Sequence, residues 1–113
     1  MPLNLSIRTE KSRKRTPTLQ PKQSPITAIN HPKEGEKLSR GHYAFNIGAS
    51  GASRVEVSVN NGPWQPCRES LGIWWHDWTS SKPGDYTLRS RAYGADPREN
   101  PVTSELRRFT VRP

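Results

Sequence analysis

One cysteine, Cys67, stands in 113 residues. Alone it closes no intramolecular disulfide, a usage that fits a reducing compartment. The three histidines, at positions 31, 42 and 76, are scattered, so a structural zinc site has no ligand spacing to rest on. No stretch approaches the ~20 apolar residues of a membrane helix. Residues 1–25 lack the apolar core, about 7–15 residues long, of a secretory signal, so a cytoplasmic location is expected. Paired catalytic carboxylates are missing. Gly48 and Gly51 have no helix-period segment after them and make no phosphate cradle. Cys67-Arg68 falls at a strand end with no helix N-terminus or base beside it, so Cys67 is not expected to act as a nucleophile. Nothing in the spacing of His31, His42, His76, Cys67 and Asp77 brings them together. These absences argue against an enzyme, a resident cofactor or a small-molecule ligand.

Acidic residues are also scarce: 10 Asp and Glu against 18 Lys and Arg, for a net charge of +8. The imbalance is uneven. Residues 1–25 hold Arg8, Lys11, Arg13, Lys14, Arg15 and Lys22 against Glu10 alone. Pro17, Pro21 and Pro25, among Thr, Gln and Ser, favour an extended linker over a packed core. The chain therefore divides into a basic, Pro-containing N-terminal arm, 1–24, and a small domain, 25–113. Met1 and the tail lead to the expectation of a complete small protein.

From Ile26 the pattern is one of strands. Ile26–Ile29 is a short first strand, and Pro32 and Gly35 place 31–39 in a loop. Tyr43, Phe45 and Ile47 alternate with small or polar residues, and Val55, Val57 and Val59 do so most clearly. Asn60-Asn61-Gly62 signals a hairpin. With either Asn61-Gly62 or Asn60-Asn61 as its loop, Trp64 falls on the valine face. Ile73–Thr79 is aromatic on both faces. Tyr86, Leu88, Ser90 and Ala92 alternate with Thr87, Arg89, Arg91 and Tyr93. Residues 94–104 form a polar loop, and the last strand around Leu106 to Phe109 breaks alternation, which suggests a bulge. Seven or so short strands without a helical period predict an all-β fold. The expected core is Trp64, Val55, Val57, Val59, Tyr86, Leu88 and Phe109.

Residues 83–93, Pro-Gly followed by Asp85-Tyr86-Thr87-Leu88-Arg89-Ser90-Arg91-Ala92-Tyr93, are similar to the penultimate strand of fibronectin type III and related immunoglobulin-like sandwiches. This resemblance implies an immunoglobulin-like antiparallel β-sandwich of about seven strands, extended here by the basic N-terminal arm. It also makes Tyr86 the candidate for a tyrosine-corner hydrogen bond. Gly48-Ala49-Ser50-Gly51, Val55-Glu56-Val57-Ser58, Asn61-Gly62, Trp64 and the Trp-rich strand before Pro83-Gly84 together resemble something narrower. They look like the C-terminal immunoglobulin-like domain of sulfite-oxidase-type molybdenum enzymes, over roughly residues 45–95. In that family the module serves dimerisation, and the cofactor sits in a separate domain for which this chain has no room. The resemblance thus implies at most an interaction role, with no catalytic residue.

Four groups of residues are candidates for contact. On a strand, Trp74, His76 and Trp78 share one face while Ile73, Trp75 and Asp77 share the other, so Trp74 or Trp75 is expected at the surface. There an aromatic can anchor a partner protein or stack on a sugar. Arg89, Arg91 and Tyr93 line a solvent face, with Arg54 and Glu56 on a neighbouring strand. Lys11, Arg13, Lys14 and Arg15 form the densest charge cluster, and residues 8–15 could meet a nucleic acid or other polyanion. Leu3, Leu5 and Ile7 alternate with polar residues and could add as a strand to another subunit's sheet edge. The function expected from all this is a non-enzymatic interaction or assembly module. Its partners are other protein subunits, of the same or a different chain.

Overall fold

The computed structural model describes residues 24–113. Ten strands follow one another: β1 (Ile26–His31), β2 (Glu36–Leu38), β3 (His42–Ser50), β4 (Arg54–Val59), β5 (Gln65–Pro66), β6 (Arg68–Ser70), β7 (Ile73–Thr79), β8 (Gly84–Tyr93), β9 (Val102–Thr103) and β10 (Arg107–Val111). No helix occurs among the described residues. The strands build two sheets, one in the order β1-β3-β7-β6 and one in the order β2-β10-β8-β4-β5, with β9 also on β8. This is the expected all-β, immunoglobulin-like sandwich.

Alternation decides which residues close it. Phe45 and Ile47 from β3 face Val55 and Val57 of β4, Leu88 and Ala92 of β8, and Phe109 and Val111 of β10, all almost wholly buried. Val59 and Tyr86 are only partly buried but pack against this cluster, as does Trp78. The aromatic centre is compact. Trp78 stacks on Phe45 with centroids 5.3 Å apart, and meets Tyr86 and Phe109 edge-on at 5.1 and 5.6 Å. The Tyr86 hydroxyl donates to the Lys82 carbonyl at 2.7 Å, the tyrosine-corner bond that the resemblance implied.

Four features differ from the sequence expectation. Residues 36–38, expected in a loop, form the edge strand β2, which pairs with β10 in parallel, so the sandwich is not purely antiparallel. Three residues are too few to show an alternating pattern. Second, Val102 and Thr103, expected in the polar loop 94–104, form β9 on β8 ahead of the last strand β10. Between them Ser104 turns inward: its amide donates to the Ser90 carbonyl at 2.8 Å and its hydroxyl accepts from the Ser90 amide at 2.9 Å. The Ser90 hydroxyl lies 2.8 Å from that of Thr27, so the buried polar atoms of this seam are satisfied. The ladder on β8 is thus interrupted at 104–106, and the bulge expected between Leu106 and Phe109 gives way to regular pairing over 107–111.

The third difference is the number of strands, which rises from about seven to ten because β2, β5, β6 and β9 are fragments of two or three residues. The fourth is Trp64, taken up below. The chain changes sheets at Cys67. β5 pairs with β4, and one residue further on β6 pairs with β7.

Candidate functional site

The outer face of the larger sheet carries the densest constellation of polar and aromatic side chains. It is positioned by the ladder between β4 and β8, where Arg54 lies opposite Tyr93, Glu56 opposite Arg91 and Ser58 opposite Arg89. The inward Val55, Val57, Leu88 and Ala92 fix this register, because a one-residue slip would drive the charges into the core.

Glu56 is the hub. Its Oε1 accepts from Arg91 Nη2 at 2.6 Å, from Arg91 Nε at 3.2 Å and from the Tyr93 hydroxyl at 3.1 Å. Arg54 Nε stands 3.8 Å from Oε2. Burial on its own pushes the Glu56 carboxyl up. The hydrogen bonds from Arg91 and Tyr93 and the charges of Arg91 and Arg54 outweigh that effect, and the group is held below the usual carboxylate range. The planar groups are layered on each other. The Arg54 guanidinium lies 3.8 Å from the centre of the Tyr93 ring, and that of Arg91 lies 4.1 Å from Trp64 and 5.2 Å from Tyr93. Arg89 reaches Asn61 Oδ1 at 3.4 Å. One carboxylate among three arginines leaves this part of the face positive.

Trp64 belongs to this face, and its expected place in the core is corrected. Asn60 and Asn61 both have positive φ, 53° and 58°, and the Gly62 amide donates to the Val59 carbonyl at 2.9 Å. The two-residue loop is therefore Asn60-Asn61. Regular pairing from that turn would place Trp64 opposite Val57, yet Val57 pairs with Gln65. One extra residue has entered the strand after the turn, and a single-residue slip moves a side chain to the opposite face. Trp64 consequently lies over Arg91. No period in the sequence marks the slip, so this partner of Arg91 was not foreseen.

The tryptophans of β7 separate as alternation requires. Trp74 and Trp78 pack against the core, while Trp75, opposite Asn46 of β3 and Arg68 of β6, stands on the outer face of the smaller sheet. Trp74 is thereby removed from the surface candidates and Trp75 is kept. It does not meet Arg89, Arg91 and Tyr93, which lie on the other sheet. Leu3, Leu5, Ile7, Lys11, Arg13, Lys14 and Arg15 lie outside the described residues.

Cys67 packs against the core, and burial, helped by the charge of Glu56, pushes its thiol up to about 12. At neutral pH the thiolate is nearly absent. The native protein at pH 7.5 (about one unit below a free thiol) is therefore expected to resist iodoacetamide, and the protein in denaturant to react; mass spectrometry of the two samples measures this. Full native labelling would show that the thiol is accessible and ionised. Among the described residues, no group of three His, Cys, Asp or Glu side chains could hold a metal ion. No helix among them is long and apolar enough to cross a membrane.

Fold and face together define an immunoglobulin-like or fibronectin-III-like β-sandwich with an ordered, basic and aromatic sheet surface. No family model and no curated protein matches the chain. Solved structures do. Fibronectin(III)-like modules of CbhA from Clostridium thermocellum are similar at 23% identity with a TM-score of 0.60, over 77% of this chain and 96% of that one. An engineered protein matches at 18% identity and TM-score 0.64, over 89% of this chain and 22% of its own. A modular endo-β-1,4-mannanase from Cellulomonas fimi matches at 14% identity and TM-score 0.55, over 78% of this chain and 18% of its own. At such identities the likeness establishes the fold alone.

Proposed function

We propose that the protein is a non-enzymatic interaction module that docks onto another protein subunit through the outer face of β4 and β8. The observation that supports this reading is the layered Trp64–Arg91–Tyr93–Arg54 row. Trp, Tyr and Arg are the residue types that dominate binding energy at interfaces. Here their rotamers are already held by Glu56 and by mutual stacking, so little conformational entropy remains to be lost on docking. The excess of arginine over carboxylate selects an acidic partner surface. The basic arm supplies a second contact, through Leu3, Leu5 and Ile7 at a partner's sheet edge or through Lys11, Arg13, Lys14 and Arg15. The likeness to solved modules within larger proteins is compatible with this role. The resemblance of residues 45–95 to a dimerisation domain keeps a second copy of the chain as a partner to test, beside an acidic surface on a different chain.

The test begins with mass in solution, by light scattering, of the full chain, of residues 25–113, and of the Arg89→Ala/Tyr93→Ala variant. A full-length oligomer that both changes reduce to monomer supports self-assembly through face and arm. If all three are monomers, the partner is a different chain. A photoreactive residue at position 89 should then yield a cross-linked protein adduct in cells, and the same residue at position 82, away from the face, should not. Monomers throughout, with no adduct specific to position 89, would refute the docking face.

A further inference from the structure

The outer face of the smaller sheet has a different character, and the geometry points to a binding site for an uncharged polysaccharide built around Trp75. On this face alternation leaves Ile73, Trp75 and Asp77 of β7, His42, Ala44, Asn46 and Gly48 of β3, Ala28 and Asn30 of β1, and Arg68 of β6. The row through Trp75 crosses four strands: Arg68, Trp75, Asn46 and, through an Nδ2-to-Oδ1 bond of 3.0 Å, Asn30. The neighbouring β3 positions, Ala44 and Gly48, are small, so no bulky side chain on that strand overhangs the row.

Beside the indole sits a bracketed carboxylate. Asp77 accepts from Arg68 Nη2 at 3.4 Å and lies 3.3 Å from His42 Nε2, and each of the three side chains is more than half exposed. Arg68, Trp75 and Asp77 also form one wall of a shallow groove of about 430 Å³, whose other wall is Pro66, Cys67 and His76 at the edge where the chain changes sheets.

The chemistry of these groups selects the ligand. A flat aromatic surface matches the apolar C–H face of a pyranose ring. A carboxylate, a guanidinium, an imidazole and two primary amides, spread over the same sheet face, supply the mixed donors and acceptors that equatorial hydroxyls require. Arg68 and Asp77 neutralise each other, so nothing here attracts a net charge, unlike the arginine-rich face on the other sheet. A planar, uncharged, hydroxyl-rich partner meets all three conditions. The four-strand row gives room for more than one sugar unit in line.

This site lies on the sheet opposite the proposed docking face, so the two ideas fail separately. The probes are cellohexaose, mannohexaose and xylohexaose, with oligogalacturonate as a charged control, added to the ¹⁵N-labelled full chain. Four tryptophans give four indole N–H signals. The Trp75 signal, assigned by its loss in Trp75→Ala, should shift saturably with at least one neutral hexasaccharide. Trp75→Ala should abolish that binding, and Asp77→Asn should weaken it about ten-fold. Trp64→Ala should leave it unchanged. Retention of the other indole signals shows that each variant is folded. Absence of a saturable shift with every neutral probe at about 10 mM, where even millimolar affinity would register, overturns the proposal. So does binding that survives in folded Trp75→Ala, or binding confined to oligogalacturonate.

Discussion

Phe45→Ala should cost about 3–5 kcal/mol of folding stability, the range for emptying a buried aromatic site. Phe45 is fully buried and lies between the two sheets, 5.3 Å from Trp78 and 5.9 Å from Phe109, with Tyr43 at 6.0 Å on its own strand. Its partners come from β3, β7 and β10, and no one strand can shift inward to fill the void without dragging its ladder with it. A small domain has about 5–15 kcal/mol to lose, so this variant stands near the edge of folding. Urea unfolding followed by tryptophan fluorescence measures it: the midpoint should fall sharply while the slope stays unchanged. Trp75→Ala, on the outer face, is the control and should move the midpoint far less. Equal losses from the two substitutions would mean that Phe45 does not hold the sheets together.

How much of this could be read beforehand depends on which physical rule governs each feature. β3, β4, β7 and β8 are long enough for period-two alternation to show. Their inward residues Val55, Val57 and Leu88, and the Tyr86 bond, followed from pattern and resemblance, while Phe45, at the centre of the core, was read only as part of an alternating strand. The outward row Arg54, Glu56, Arg89, Arg91 and Tyr93 was legible as a face for the same reason. What the sequence left hidden is what pairing alone decides. Trp64 changed sides because of one extra residue after the Asn60-Asn61 turn, and β2 exists only because β10 offers it a parallel edge. Alternation by itself left the choice between Trp74 and Trp75 open. The choice falls to Trp75 because Trp74 shares the inward face with Trp78.

Glu56→Gln should have the second largest effect, and its pH dependence separates charge from shape. At neutral pH the substitution removes the carboxylate that accepts two bonds from Arg91 and one from Tyr93. The amide keeps the volume but leaves Arg91 and Arg54 as uncompensated like charges across one ladder. Hydrogen bonds to a charged group contribute roughly 1.5–3 kcal/mol each when shielded. Glu56 and Arg91 side chains keep only 17% and 24% of their exposure, so about 1–3 kcal/mol in total is expected after solvent screening. Glu34, whose bond to Arg108 is open to solvent, should have a much smaller effect when changed in the same way.

The carboxyl of Glu56 is held below its ordinary range in the folded protein. Its contribution is therefore complete above the unfolded value of about 4.3 and disappears as pH falls through the lower folded value. Unfolding curves of wild type and Glu56→Gln should stay a constant distance apart from pH 7 down to about pH 5, and then converge in stronger acid. A gap that persists unchanged at low pH would mean that the substituted amide packs badly and that the charge contributes nothing. The same titration should weaken docking, because protonated Glu56 no longer holds Arg91 between Trp64 and Tyr93. If the face docks as proposed, partner binding should be lost at the lower end of the pH range over which the stability gap closes, which is what an ordered arginine face requires and a merely positive one does not.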